Sequence, residues 1–251
     1  MLKRNARLTA AVVMLTASQS PYAGWMDVFD GVVDAASENG AVSKVAKSAL
    51  SNSDAVSGLK EALANGVESA IKMLGKPGGF SGNQMVEIAV PDALKTVAST
   101  ARSIGQGQYV DSFETTMNQA AEKAVPEAAE ILADAIRKMS VDDAMNIVNG
   151  PEDSATQYFR KVSEASLAER FKPIVSQATD QSGATAAYKQ LTGQAAPLLG
   201  GLLGGSELDL DQYVTNKSLD GLFKYIAMEE KSIRDNPAAR STDLLKKVFG
   251  K

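Results

Sequence analysis

The sequence predicts an all-α protein, a mostly helical bundle of about eight helices. The first support is the spacing of the apolar residues, which recur every three or four positions through most of the chain, as on helices with one buried face. The second is the placement of Ser, Pro and Gly residues where those periodic segments begin and end. A chain of 251 residues, 44% of them hydrophobic, is long enough to build a sizeable core.

The clearest helix is predicted over residues 53–74. Ser53 can cap its start, and Gly75 followed by Pro77 can end it. Because its apolar residues are three or four positions apart, they form one stripe that a core can cover. The stripe consists of Val56, Leu59, Leu63, Val67, Ala70 and Leu74.

Prolines mark the starts of two of the following helices. Pro91 and Pro126 stand at first helical turns, and the acidic residue after each suits the positive end of a helix dipole. The first of these helices is expected to stop at Gly105. Between them, a further helix is predicted from the apolar residues Val110, Phe113, Met117, Ala121 and Ala124.

Capping and breaking residues divide the second half of the chain. Ser140 with Asp143 is typical of a capping box, which opens a short helix that ends at Gly150. Pro173 is expected to interrupt the helix that begins at Ser154. Two more helices are predicted in the tail, with the apolar residues Leu219, Leu222, Phe223, Ile226 and Ile233 on the first and Leu244, Leu245, Val248 and Phe249 on the second.

Two short segments, residues 86–90 and 207–211, break the helical period. In each, apolar and other residues alternate, which indicates half-buried extended chain. Since a single short strand is weak, we expect the two to pair as a small two-stranded β-ribbon on the helical body. The alternative is two unconnected extended loops.

Residues 1–23 have the pattern of a secretory signal peptide. Three positive charges precede an apolar run of ten residues, Leu8–Ala17, which is too short to span a bilayer. Cleavage is expected after Ala23 or after Ser18. The predicted organisation is thus a signal peptide (1–23), a helical lead-in (24–49) and a single helical domain (50–251), with a periplasmic location and no membrane span in the mature chain.

Composition excludes several classes of function. The chain has no Cys and no His, which rules out zinc fingers, Ser-His-Asp or Cys-His nucleophile systems and the usual haem or iron–sulfur ligation. We therefore predict no cofactor and no metal. Removing residues 1–23 takes away three positive charges and no acidic ones, so the net charge moves from −4 to −7. An acidic chain argues against nucleic acid as a partner.

Two groups of polar residues are the candidate ligand-binding sites. Glu114, Asn118 and Glu122 recur every four residues, so they share one helical face and could bind a cation or position an acid and a base. A plain solvated face is the alternative interpretation. The second group is Glu230, Arg234 and Arg240, near the junction of the two tail helices. We interpret its ion pairs as a structural clasp or a binding site, and assign catalysis to no residue.

Several stretches carry a family resemblance. The C-terminal end resembles the hallmark ending of the bacterial exported family called domain of unknown function 4197, and shorter stretches earlier in the chain agree with it. The resemblance covers about Leu50 to the end of the chain. The matching residues are 213–223 (YVTNKSLDGLF), 229–231 (EEK), 236–250 (NPAARSTDLLKKVFG), 58–63 (GLKEAL), 74–77 (LGKP), 109–123 (YVDSFETTMNQAAEK) and 171–175 (FKPIV).

The resemblance implies a mostly helical exported protein of Gram-negative bacteria and supplies no activity. From the residues we favour a non-catalytic periplasmic binding or interaction protein, whose partner is a protein or a small apolar ligand held in a groove between helices. A carboxylate-based hydrolase of the cell envelope is one alternative. A structural or stress-related protein-interaction component is the other.

Overall fold

The computed structural model describes residues 47–181 and 209–235. This part of the chain is 82% helical and contains no strand, which confirms the predicted all-α class. Its α-helices, fewer than the eight predicted for the whole chain, are α1 (Lys47–Leu74), α2 (Lys95–Ser103), α3 (Gly107–Ala124), α4 (Ala128–Lys138), α5 (Val141–Asn149), α6 (Ser154–Gln181) and α7 (Leu210–Asp235). The 3-10 turns Asp92–Leu94 and Val125–Glu127 precede α2 and α4. None of the described helices combines the length and apolar character that a membrane crossing requires.

Helices α6 and α7 lie at the centre of the described structure. They pack on each other; α6 also contacts α3, α4 and α5, and α7 also contacts α1 and α3. One continuous apolar core fills the space between these helices. Its largest fully buried side chains include Phe80, Phe113, Phe159, Phe171 and Phe223.

The first helix confirms the predicted apolar stripe. Leu59, Leu63, Val67, Ala70 and Leu74 are all buried, and Val56 is partly buried against the same core. The predicted end is also confirmed, because α1 ends at Leu74, directly before Gly75. The predicted start at Ser53 is wrong, since the helix already includes Lys47. No Gly or Pro lies between Lys47 and Ser53, so nothing in the sequence stops the helix there.

The capping box at the start of α5 is present as predicted. Ser140 Oγ accepts a hydrogen bond of 3.1 Å from the Asp143 N–H, and Asp143 Oδ2 accepts one of 3.1 Å from the Ser140 N–H. The helix ends before Gly150, also as predicted.

The predicted interruption at Pro173 is wrong, because α6 continues through this residue to Gln181. Proline removes one backbone hydrogen bond from the helix, but the residues on both sides are anchored in the core. Phe171 and Val175 are fully buried, so their packing holds the two halves of the helix in line.

The predicted β-ribbon is also wrong. Val86 lies in a turn and residues 87–90 have no regular secondary structure. Val86, Ile88 and Val90 are buried as their alternation indicated, but no strand is present in the described residues. Leu210 and Asp211 belong to helix α7 instead. The N–H groups of Ile88 and Val90 pair with side chains of α3, so they need no second strand.

Other parts of the prediction lie outside the described residues. These are the signal peptide, most of the helical lead-in, residues 207 and 208 of the predicted ribbon, and the last predicted helix with Leu244, Leu245, Val248 and Phe249.

The capping box generates a test of stability. Hydrogen bonds from Ser140 hold the pKa of the Asp143 carboxyl below its ordinary value of 3.8, so their contribution to stability is present above that pH and is lost as the pH falls through the lowered pKa. We expect Ser140→Ala to lower the free energy of unfolding by about 1 kcal/mol at pH 7, and by less in acid. Urea unfolding followed by circular dichroism measures both. Ser112→Ala on the exposed side of α3 is the control, and a loss that does not depend on pH would contradict the assignment.

Candidate functional site

The polar row on α3 faces the connection between α1 and α2, residues 75–91. The row consists of Glu114, Asn118 and Glu122, which stand one turn apart. Their side chains therefore point the same way, toward the connection that lies across them. Each accepts a hydrogen bond from the backbone of this connection. The row is therefore neither a solvated face nor a bare cluster of acids.

Asn118 lies at the centre of the row and is 1% exposed. Its Oδ1 accepts from the Ile88 N–H at 2.8 Å, and its Nδ2 donates to the Ile88 carbonyl at 2.9 Å. The amide side chain thus makes the two bonds that a neighbouring strand would make. Nδ2 also donates to the Glu114 carbonyl, so both N–H donors of the amide have a partner.

Glu114 closes the outer end of the row. One of its oxygens, Oε1, accepts from the Val90 N–H at 3.2 Å, and the other, Oε2, accepts from Arg102 of α2 at 3.1 Å. Arg102 also pairs with Asp111, one turn before Glu114. This end of the row is a charge network at the surface.

Glu122 closes the inner end and is only 7% exposed. Its Oε1 accepts from two successive backbone N–H groups, those of Phe80 at 3.1 Å and Ser81 at 3.0 Å. Phe80 is fully buried, and a Cβ on Gly221 of α7 would lie 2.7 Å from its ring. Because Gly221 has no side chain, Phe80 can pack directly on α7. This contact holds the N–H groups of Phe80 and Ser81 in place.

Helix α7 holds the same connection from its other side. Asn83 Nδ2 donates to Tyr225 Oη at 2.6 Å, Lys224 donates to the Met85 carbonyl, and Tyr213 donates to the Ala89 carbonyl. Partial burial raises the pKa of the Tyr213 hydroxyl, with the nearby acids Asp92 and Glu114 adding to the shift. The connection is thus clamped between α3 and α7 along its length.

A groove of about 630 Å³ opens beside Glu122. We call it the Glu122 groove. Gly75 lies close to Pro126 on the opposite side of the groove, because a Cβ on Gly75 would be 2.9 Å from Pro126 Cγ. Its walls are formed by the start of the connection, the second half of α3 and the 3-10 turn that follows α3. The lining residues are Gly75, Pro77, Gly78, Ser81, Thr115, Gln119, Glu122, Lys123, Pro126 and Glu127.

The second predicted group lies at the corner between α5 and α6. Glu230 of α7 is 6% exposed and accepts from the N–H groups of Ala155 and Thr156 at 2.9 and 3.0 Å. Its carboxylate therefore caps α6, where the positive end of the helix dipole favours an anion. Arg234 lies 3.0 Å from Glu230 and also donates to the carbonyl of Ile147 at the end of α5.

The Glu230–Arg234 pair therefore ties three helices together, which fits the structural half of the sequence interpretation. The cavity beside it holds only about 10 Å³, and it shares no lining residue with the Glu122 groove. The structure thus brings Glu114, Asn118 and Glu122 together and places Glu230 and Arg234 elsewhere. Arg240, the sixth predicted residue, lies outside the described part of the chain. Ligand binding by these residues stays a prediction.

Sequence reasoning missed most of the groove. Gly75 and Pro77 were interpreted only as the end of α1, and Pro126 only as the start of a helix. A signal was available in the glycine-rich run Gly75–Gly79, which lets a backbone approach its neighbours closely. In the described residues, no group of three or more acids or other ligating side chains could hold a metal.

Comparison with known proteins supplies a family for the chain. The family described as "Protein of unknown function (DUF4197)" matches residues 49–250. No curated protein and no solved structure matches. The family description names no activity.

The clasp at Glu230 generates a second prediction. Glu230→Ala leaves Arg234 and the first N–H groups of α6 without their buried partner, and we expect the free energy of unfolding to fall by about 3–5 kcal/mol. Chemical denaturation measures the loss. Glu152→Ala is the matched control, since Glu152 pairs with Lys231 on the exposed surface and such pairs contribute little. Equal stabilities of the two variants would contradict the clasp.

Proposed function

The chain belongs to the DUF4197 family, and we propose that it is a non-catalytic binding protein of the periplasm that holds a small ligand in the Glu122 groove. One observation carries the proposal: a concave surface with small apolar walls meets a buried carboxylate whose position is fixed. Ligand sites typically combine apolar walls with a few well-placed polar groups.

The size of the groove supports this function. Its volume of about 630 Å³ lies within the range of roughly 300–1,000 Å³ common for small-molecule sites. Gly75, Pro77, Gly78 and Pro126 present little side-chain bulk, which leaves room for an apolar body. Thr115 and Gln119 add hydrogen-bonding groups along the α3 wall.

The rigidity of the groove supports it further. Glu122 is held by two backbone N–H groups, and the segment that supplies them is clamped between α3 and α7. A polar side chain that is already held in one conformation loses little conformational entropy when a ligand binds to it. The protein's own contacts therefore hold the polar group of the groove in place.

The proposed periplasmic location is based on residues 1–23. Their positive start and apolar run of ten residues are typical of a leader that is removed on export. The absence of Cys suits an oxidising compartment, where a thiol could mispair.

The charged groups of the groove favour binding over hydrolysis. A carboxylate-based hydrolase needs one carboxyl group that donates a proton. Glu122 accepts two backbone N–H bonds, and Glu127, the other acid of the lining, accepts from Arg170 at 3.0 Å. Both are thus arranged as acceptors. The groove also favours a ligand-binding protein over a purely structural component, because it supplies a concave site beside the row on α3.

Native mass spectrometry of the protein isolated from its own periplasm tests the proposal. We expect the wild-type protein to carry a small molecule. Its polypeptide mass should be that of a chain starting at Gly24 or at Gln19. Gln119→Trp places a large side chain in the groove and is expected to remove the bound mass. Gln108→Trp is the matched control, because Gln108 is exposed on the same helix about 16 Å away along its axis.

Two results would contradict the proposal. A bare wild-type protein, or a bound mass that persists in Gln119→Trp, would exclude the groove as the binding site. A mass that still includes residues 1–23 would exclude export with removal of the leader.

A further inference from the structure

The described part of the chain contains two buried glutamates, Glu122 and Glu230, with similar surroundings. Each is less than a tenth exposed, and each accepts from the N–H groups of two successive residues. They differ in their counter-ion. Arg234 lies 3.0 Å from Glu230, whereas Glu122 makes no ion pair with any described residue. Buried charges in proteins are as a rule paired.

The cations near the groove are arranged otherwise. Lys123 lines the same groove, but its side chain is exposed and forms no ion pair with Glu122. Arg170 pairs at 2.9 Å with Glu127, the other acid of the lining. Glu122 lines the groove, and its second oxygen, Oε2, accepts no hydrogen bond from a described group. A binding position for a positive charge is therefore open on this carboxylate.

From this we propose that the ligand of the Glu122 groove is a small organic cation, a protonated amine on an apolar body, with Glu122 as its counter-ion. The inference rests on the proposed function, since it names the ligand class of that same site. The amine pairs with Glu122 Oε2, and the apolar body lies along Pro77 and Pro126. Thr115 and Gln119 can accept the remaining N–H groups of the amine. The amine thus serves as the counter-ion of Glu122, as Arg234 does for Glu230.

The test compares 2-phenylethylamine with its neutral isostere 2-phenylethanol, titrated at pH 7 and followed by the protein's amide NMR spectrum. We expect the amine to bind wild type at least about tenfold more tightly than the alcohol, because both can donate a hydrogen bond to Glu122 but only the ammonium adds a positive charge beside the carboxylate. Glu122→Gln keeps an oxygen that accepts from Phe80 and Ser81 and keeps the size of the side chain. It is expected to remove the preference for the amine.

The matched control is Glu130→Gln, which changes an exposed acid outside the groove and should keep the preference. An unchanged amide spectrum outside the groove shows that each variant is folded. Equal binding of the amine and the alcohol to wild type, or an undiminished preference in Glu122→Gln, would overturn the inference and leave the groove as a binding site. No binding of the amine up to about 10 mM, the weakest affinity expected for a ligand of this size, would also overturn it.

The two proposals fail separately. The proposed function fails if the protein from its own periplasm is bare or if Gln119→Trp keeps the bound mass. The ligand class fails alone if that mass is lost in Gln119→Trp while the amine has no advantage over the alcohol.

Discussion

Side chains on a helix face supply the hydrogen-bond partners of a non-helical segment, and the groove depends on this pairing. Glu114, Asn118 and Glu122 accept from backbone N–H groups between residues 80 and 90. A buried backbone N–H without a partner costs roughly 1–3 kcal/mol, so the segment needs these acceptors where it is covered by α3 and α7. The row thus allows a non-helical connection to lie against the core of a helical protein and to form one wall of the groove.

The same physical device appears twice. A buried glutamate binds a pair of successive N–H groups at residues 80–81, and another does so at the start of α6. At α6 the arrangement is closed by Arg234, and the adjoining cavity is very small. At residues 80–81 the arrangement opens on a groove. We therefore regard Glu230 as part of a structural clasp and Glu122 as part of a candidate binding site.

The sequence predicted the helices because their signals are local. The stripe from Leu59 to Leu74 and the capping box at Ser140 need only a few neighbouring residues to be recognised. The alternate burial of Val86, Ile88 and Val90 was predicted for the same reason, but the partner of this segment was not. A strand partner was expected, whereas the acceptors are side chains such as Asn118, 30 residues further along the chain.

The candidate site could be predicted only in part. A spacing of four residues showed that Glu114, Asn118 and Glu122 share a face, but nothing in that spacing shows what covers the face. The walls of the groove come from separate segments near residues 75–81 and 115–127, and four of the ten lining residues are glycine or proline. Such residues carry no chemistry of their own, so their role follows only from the contacts of the folded chain.

Amide hydrogen exchange measured by NMR tests the pairing between α3 and the non-helical segment most directly. The N–H groups of Ile88 and Val90 are bonded to Asn118 and Glu114, whereas Ala89, between them, is exposed and makes no such bond. The account predicts slow exchange at Ile88 and Val90, comparable with amides inside the core helices, and fast exchange at Ala89. Equally fast exchange at all three residues would show that the helix face does not hold the segment, and the groove would lose its wall.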